Sequence, residues 1–173
     1  IGRQVSNLLE DIVRGRVHMD IFVFEGSVIQ GPNGSGTMNN FAERPMLDWV
    51  RDLSNVADYV VAIGDCASWG GIPAVPPNPT DSTGLQFHKG KKGGFLGPDF
   101  KSKSGLPVIN IPGCPAHPDW MTQILVAIAT GRIKDVLIDT ERIVLGADRR
   151  IEIPPGKHRV EISYVGLSMA FSF

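Results

Sequence analysis

The sequence contains little of what marks a disulfide-stabilised, membrane-embedded or nucleic-acid-binding protein. It has 2 cysteines in 173 residues, too few for a secreted disulfide framework. No apolar run approaches the ~20 residues that span a bilayer, and no signal peptide opens the chain. Because 17 basic and 18 acidic residues nearly cancel, no electrostatic footprint for nucleic acid is present. These absences favour a cytoplasmic protein with no nucleic-acid partner and no integral membrane segment.

What the sequence does contain is an apolar fraction of 42%, enough for the core of about one domain. Its 20 glycines and 13 prolines are concentrated between residues 64 and 118, which predicts long, rigid loops on an ordinary scaffold. The one dense basic run, His88-Lys89-Gly90-Lys91-Lys92, lies among glycines and is interpreted as a solvated loop. The chain opens Ile1-Gly2-Arg3 without Met, so we expect a processed chain or a fragment.

Hydrophobic periodicity predicts helices alternating with short buried strands up to about residue 131. Apolar side chains recur at helical spacing over residues 3–14, 40–55 and 118–130. Short, β-prone apolar runs predict strands over residues 19–24, 58–63 and 106–111. This alternation favours an α/β fold whose parallel sheet has helices on both faces. The intervening stretch from 64 to 105 is too long to be filler, so we expect a functional or partner-binding loop.

The pattern changes from Asp139 onward. Polar and apolar residues alternate over residues 142–145, 149–153 and 159–165, as in half-exposed antiparallel strands. The sequence therefore predicts an α/β domain over residues 1–134, followed by a β-rich tail over residues 135–173.

Polar or soft side chains follow all three predicted strands. Glu25 follows the first strand, Asp65 and Cys66 the second, and Cys114 the third. Sites in open parallel sheets form beyond the carboxyl ends of the strands, so we expect these residues to converge. The glycines around both cysteines would let backbone amides approach a bulky inorganic group, and thiolate is the soft ligand that iron–sulfur clusters require.

Other interpretations of the two cysteines stay open at this point. They could be inert buried residues, a disulfide or a redox pair, or a nucleophile with His117 as its partner. The glycine-rich stretch at 31–36 lacks the lysine of a phosphate-binding loop and is interpreted as a turn. Trp69, in the Cys66 loop, could cover a site or lie at a subunit interface.

Several long motifs, in order, resemble those of nickel–iron hydrogenase small subunits. The resemblance covers about residues 1–134, and two of its motifs contain the cysteines: IGDCASWGGIPA at 63–74 and PVINIPGCPAHPDW at 107–120. Phe24–Val28 is similar to the family's strand-end motif, and Asn78–Thr80 belongs to the same pattern. Thr83–Phe87 and Gly93–Gly97 are similar to the soluble uptake and hydrogen-sensing branch.

The resemblance implies a flavodoxin-like domain that holds a proximal 4Fe-4S cluster and relays electrons from dihydrogen oxidation. It also implies a large partner subunit that carries the nickel–iron centre, so no catalytic residue is expected in this chain. Cys66 and Cys114 would be two of the four metal ligands. The family's other two form a cysteine pair before the first helix, which this sequence does not contain.

The resemblance weakens after about Lys134, where no cysteine occurs. Residues 149–168 resemble, more distantly, a strand-rich module found after sensor propellers in two-component regulators, so we expect a truncated or fused sequence. Two rival functions follow. One is the small cluster subunit of a quinone oxidoreductase; the other is a scaffold or sensory remnant that binds a large subunit without a complete cluster.

Overall fold

The computed structural model describes residues 2–133 and four strand segments beyond them, at 144–145, 151–152, 159–164 and 167–172. The chain divides into two compact units, Ile1–His117 and Pro118–Phe173. The predicted boundary near residue 135 rests on a change in sequence pattern and stays a prediction. Among the described residues, no helix is both long enough and apolar enough to cross a membrane.

The first unit begins with three elements that lead into a small hairpin. They are helix α1 (Arg3–Val13), strand β1 (Ile21–Glu25) and strand β2 (Val28–Ile29). The hairpin consists of β3 (Asn40–Phe41) and β4 (Arg44–Pro45). Helix α2 (Met46–Val56) and strand β5 (Tyr59–Ile63) follow.

The connection after β5 contains helix α3 (Gly64–Trp69), a 3-10 turn (Ile72–Ala74) and three short strands. These are β6 (Ser82–Thr83), β7 (Phe87–His88) and β8 (Lys91–Lys92). Strand β9 (Ile109–Ile111) completes the main sheet. The stretch predicted to be irregular therefore contains short elements of its own.

The main sheet is parallel, with β5 between β1 and β9. Phe24 and Ala62 lie on one of its faces in a buried cluster with Val50 of α2. A second cluster joins α1 to α2 through Ile12, Trp49 and Leu53. Burying a Val, Leu, Ile or Phe side chain contributes about 1.5–3 kcal/mol to stability. These contacts therefore anchor α2 against the sheet and α1 against α2. The α/β class predicted from the sequence is confirmed.

Helix α2 begins later than the periodicity predicts. The expected start at Asn40 is wrong, because residues 40–45 form the β3–β4 hairpin, whose turn residues Ala42 and Glu43 have φ of 48° and 68°. The indole Nε1 of Trp49 donates a hydrogen bond to the Phe41 carbonyl at 2.8 Å, which fastens the hairpin to the helix.

In its described residues, the second unit contains helix α4 (Pro118–Ala129) and four strands. Strands β10 (Val144–Leu145) and β11 (Ile151–Glu152) pair antiparallel. Strands β12 (Arg159–Tyr164) and β13 (Leu167–Ser172) also pair antiparallel. Antiparallel pairing agrees with the alternating pattern of this region.

Candidate functional site

The three strands of the main sheet end level with one another at one edge. Glu25 is paired with Ile63 across β1 and β5, and Ile63 is paired with Ile111 across β5 and β9. Because all three strands run in the same direction, the segments that follow them leave from this edge. The sheet thus brings residues 26, 64 and 112, which are far apart in sequence, to the start of one loop cluster.

Two reciprocal hydrogen bonds join the first turn of α3, which carries Cys66, to the turn that carries Cys114. The backbone N–H of Asp65 donates to the Gly113 carbonyl at 3.0 Å. In return, the Gly113 N–H donates to Asp65 Oδ1 at 2.8 Å. Cys66 and Cys114 each come directly after one of these two residues. The structure therefore brings the two cysteine-bearing segments together at the carboxyl edge of the sheet, as expected. The role of Cys66 and Cys114 as metal ligands stays a prediction.

Cys66 is half-buried on α3, and the chain closes over it directly after the helix. Gly70 ends α3 with a φ of 96°, and its N–H donates to the Cys66 carbonyl at 2.9 Å. Gly71 has a φ of 56°, and a Cβ at this position would lie 2.5 Å from Cys66 Sγ. Only glycine leaves room for the sulfur there. The backbone of Gly71 thus packs directly on the Cys66 sulfur, while the predicted approach of backbone amides to an inorganic group stays a prediction.

Cys114 lies in a tight turn and is exposed. Gly113 has a φ of 120°, and a Cβ there would lie 2.8 Å from the Pro115 carbonyl oxygen. The turn is closed by a bridge between Gly113 and Ala116, and the Cys114–Pro115 peptide is cis. Both cysteines are free thiols, so the disulfide interpretation finds no support. Cys114 is exposed and Cys66 is half-buried, so neither thiol is fully enclosed by the protein.

A buried glutamine within the Thr83–Phe87 motif, which was not predicted to have a role of its own, attaches the long connection to the segment leading into β9. Gln86 is 1% exposed, and its Nε2 donates to the carbonyls of Pro98 at 3.1 Å and Phe100 at 3.0 Å. Its Oε1 accepts a hydrogen bond from the Val108 N–H at 2.8 Å. The preceding residue, Leu85, donates its N–H to the Ala67 carbonyl at 2.8 Å. Through these bonds the connection supports both cysteine-bearing segments.

The other residues that the sequence pointed to have mainly structural surroundings. Trp69 packs edge-on against Phe87, with ring centroids 5.1 Å apart. Glu25 is exposed at the end of β1. In the glycine-rich turn at 31–36, the Gly31 N–H donates to the Thr80 carbonyl at 2.9 Å. This bond attaches the turn to the connection and agrees with its interpretation as a turn.

A group of three side chains with metal-ligating atoms lies before the strands begin, away from the cysteines. Within the described part of the chain, His18, Asp20 and Asp58 are the only such group, with donor atoms within 4.8 Å of one another. His18 Nε2 lies 3.0 Å from Asp58 Oδ2 and 3.6 Å from Asp20 Oδ1. His18 and Asp20 are exposed, so the group is explained as a cluster of surface side chains in which His18 contacts Asp58.

An apolar surface lies directly after the Cys66 segment. Ile72 is 81% exposed and Val75 is 57% exposed. Pro73, Pro76 and Pro77 in the same stretch are also exposed. Proline restricts the backbone, so this surface is held out in a rigid form, and such apolar patches mark interaction sites.

Comparison with known proteins gives a consistent result. Residues 3–128 match the protein family described as NADH ubiquinone oxidoreductase, 20 Kd subunit. The F420 non-reducing hydrogenase II small subunit of Methanosarcina mazei is 40% identical over 134 residues, covering 73% of this chain and 33% of that protein. The Hydrogenase-1 small chain of Escherichia coli is 31% identical over 136 residues, covering 78% of this chain and 32% of that one. The chain thus spans about a third of the length of these relatives.

Solved structures agree with the sequence matches. The [NiFeSe] hydrogenase of Desulfovibrio vulgaris Hildenborough aligns with a TM-score of 0.59 at 30% identity, over 87% of this chain and 52% of that chain. The actinobacterial-type NiFe-hydrogenase of Ralstonia eutropha H16 aligns with the same TM-score at 28% identity, over 76% of this chain and 39% of that one.

Proposed function

This chain belongs to the family of the NADH ubiquinone oxidoreductase 20 Kd subunit, its relatives are hydrogenase small subunits, and on that premise we propose that it is the electron-transfer part of a nickel–iron hydrogenase. It would bind a proximal 4Fe-4S cluster through Cys66 and Cys114 and relay electrons from dihydrogen oxidation on a large partner subunit. A cluster of this kind takes up and passes on electrons one at a time. We place the chain in the soluble uptake and hydrogen-sensing branch.

The main observation behind this proposal is that the Asp65–Gly113 hydrogen bonds join the two cysteine-bearing segments. Thiolates are the ligands that iron–sulfur clusters take in proteins. A bulky cluster also needs close-approaching backbone, which the glycine over Cys66 Sγ supplies. The donor set and the cradle therefore fit half of a four-thiolate site.

The large subunit is the partner that best fits the apolar surface of Ile72 and Val75. This surface follows Gly71, the residue packed on Cys66. A partner seated on it would exclude water beside the thiol. The hydrogen-splitting residues would lie on that partner, so no side chain of this chain is assigned a catalytic role.

Two other functions have specific observations in their favour. A scaffold or sensory role without a complete cluster stays a candidate because this sequence supplies 2 cysteines of the four that a four-thiolate cluster needs. The small cluster subunit of a quinone oxidoreductase is favoured by the family description. The hydrogenase function ranks above both because the individual relatives are hydrogenase small subunits.

Metal and sulfide analysis tests the proposal directly. The protein that contains this sequence is isolated anaerobically with its copurifying partner, and iron, acid-labile sulfide and visible absorption are measured. We expect a stoichiometric cluster that is lost in Cys66→Ser and in Cys114→Ser, together with partner-dependent hydrogen oxidation. Ser104→Ala, a change in a turn away from the cysteine edge, is the control and should keep the iron.

The competing outcomes are distinct. A colourless, stable wild-type protein would support the scaffold. Full iron content in both cysteine variants would refute the ligand assignment. Quinone reduction without hydrogen oxidation would support the oxidoreductase subunit. Fractionation of the source cells tests the cytoplasmic location that we propose.

A further inference from the structure

The β7–β8 hairpin concentrates positive charge that the cysteine site does not require. Lys89, Lys91 and Lys92 are all exposed, and His88 stands opposite Lys91 in the hairpin register. Between Asp81 and Asp99 the sequence has these three lysines and no carboxylate. No carboxylate among residues 2–133 forms an ion pair with them. The basic run predicted as a solvated loop is therefore an ordered, unneutralised positive surface.

The hairpin is fixed in place by its turn. Lys89 and Gly90 form its two-residue connection, with φ of 50° and 76°, which is the backbone that favoured hairpin turns require. The Gly93 and Gly94 N–H groups both donate to the Gln86 carbonyl at 3.0 Å, closing the base of the hairpin. A charge held on an ordered hairpin keeps a fixed position toward an incoming partner.

The same hairpin is attached to the helix that carries Cys66. Phe87 packs edge-on against Trp69, and the Lys89 N–H donates to the Trp69 carbonyl at 3.0 Å. Trp69 is three residues after Cys66 on α3, about 4.5 Å along the helix axis at 1.5 Å per residue. The positive surface is thus joined by direct contacts to the helix that would hold the electron-carrying group.

We propose that the β7–β8 hairpin is a docking surface for an acidic electron-carrier protein. The inference rests on the proposed electron-transfer function. Complementary charge steers such encounters and raises association rates by ~10–10³-fold at low ionic strength. A carrier docked here would lie over the end of α3 that leads back to Cys66. A nucleic-acid partner is disfavoured, because the chain has a net charge of −1.

Binding measurements with probes of opposite charge test this surface. The wild-type complex is titrated with a plant-type [2Fe-2S] ferredoxin, which is acidic, and with a basic c-type cytochrome. We expect ferredoxin binding at low salt, loss of that binding at ~1 M salt where the Debye length falls to ~3 Å, and no cytochrome binding. Lys91→Glu/Lys92→Glu should weaken ferredoxin binding roughly tenfold at low salt.

A matched variant separates the hairpin from net charge. Lys101 and Lys103 are also exposed, so Lys101→Glu/Lys103→Glu makes the same change in charge elsewhere and should leave ferredoxin binding within about twofold of the wild type. Circular dichroism checks that each variant folds. Should the charge-reversed hairpin fail to fold, Lys91→Gln/Lys92→Gln replaces it and is expected to weaken binding by a smaller factor.

Three results would overturn the docking surface. The first is that both double variants weaken ferredoxin binding equally, and the second is that the hairpin variant does not weaken it. The third is that the complex binds phosphatidylserine vesicles through the hairpin and does not bind ferredoxin. The iron content of the wild type is measured on the same samples. Absence of iron there refutes the proposed function, whereas iron with unselective ferredoxin binding refutes only the docking surface.

Discussion

Asp65 links the fold to the candidate site, and we expect its replacement with alanine to loosen the contact between the two cysteine-bearing segments. The carboxylate Oδ1 accepts the Gly113 N–H at 2.8 Å, so Asp65→Ala removes one of the two bonds between the turns. Hydrogen bonds to charged groups contribute ~1.5–3 kcal/mol. We therefore expect the free energy of unfolding to fall by ~1.5–3 kcal/mol, a large part of the ~5–15 kcal/mol of a typical domain.

The consequence for the site should exceed the consequence for the fold. Since the Gly113 amide loses its acceptor, the turn that presents Cys114 is held against α3 by the backbone bond alone. We expect Asp65→Ala to fold and yet to retain clearly less iron than the wild type. The measurements are urea unfolding and iron analysis on the same anaerobic preparation.

Two variants serve as controls. Asp65→Asn keeps a carbonyl oxygen as acceptor and loses only the charge, so its unfolding free energy and iron content should lie between those of Asp65→Ala and the wild type. Asp99 is exposed, and Asp99→Ala should change neither quantity measurably. Wild-type stability together with wild-type iron content in Asp65→Ala would contradict the assigned role of this bond.

Two further substitutions test the cradle and its support. Gly71→Ala would place a Cβ 2.5 Å from Cys66 Sγ and should lower iron content and reduce stability by about 1–3 kcal/mol. Gly90 also has a positive φ, 76°, but open space around it, so Gly90→Ala should keep its iron; equal iron loss in both variants would refute the contact. Gln86→Leu removes one buried and two part-buried hydrogen bonds to backbone groups, and with ~1–3 kcal/mol for the buried Val108 N–H left unpaired urea unfolding should show a loss of at least ~1 kcal/mol. A loss no larger than that of the exposed control Gln4→Leu would show that water replaces those bonds.

The main strands were predictable because buried parallel strands leave a simple pattern. Residues 58–63 and 106–111 are short apolar runs bounded by glycine or proline, and both contain the observed strands β5 and β9. The start of α2 was not predictable from periodicity. Phe41 has the spacing of a helical core residue, yet it pairs with Arg44 in a hairpin. At residues 40–45 the helical spacing competes with hairpin pairing and with the hydrogen bond from Trp49. The hairpin forms, since structural context overrides helix propensity.

The site divides in the same way. The positions of Cys66 and Cys114 after their strands could be read from the sequence, since strand ends follow from the apolar pattern. Their joining through Asp65 and Gly113 could not, because an aspartate before a cysteine has many possible partners in a sequence. The burial of Gln86 could not be predicted either, although the residue lies in the Thr83–Phe87 motif, because a polar residue in a long connection resembles any exposed one until the fold buries it.

The sequence by itself determined the alternation of strands and helices, the two thiols at strand ends and the concentration of lysines at 89–92. These are properties of local pattern and composition, which need no knowledge of distant neighbours. Only the tertiary structure decided that the two turns are hydrogen-bonded to each other, that Gly71 packs on the Cys66 sulfur and that the basic hairpin is attached to α3. Each of these depends on chain segments distant in sequence meeting in space, and such meetings are set by the packing of the whole sheet edge.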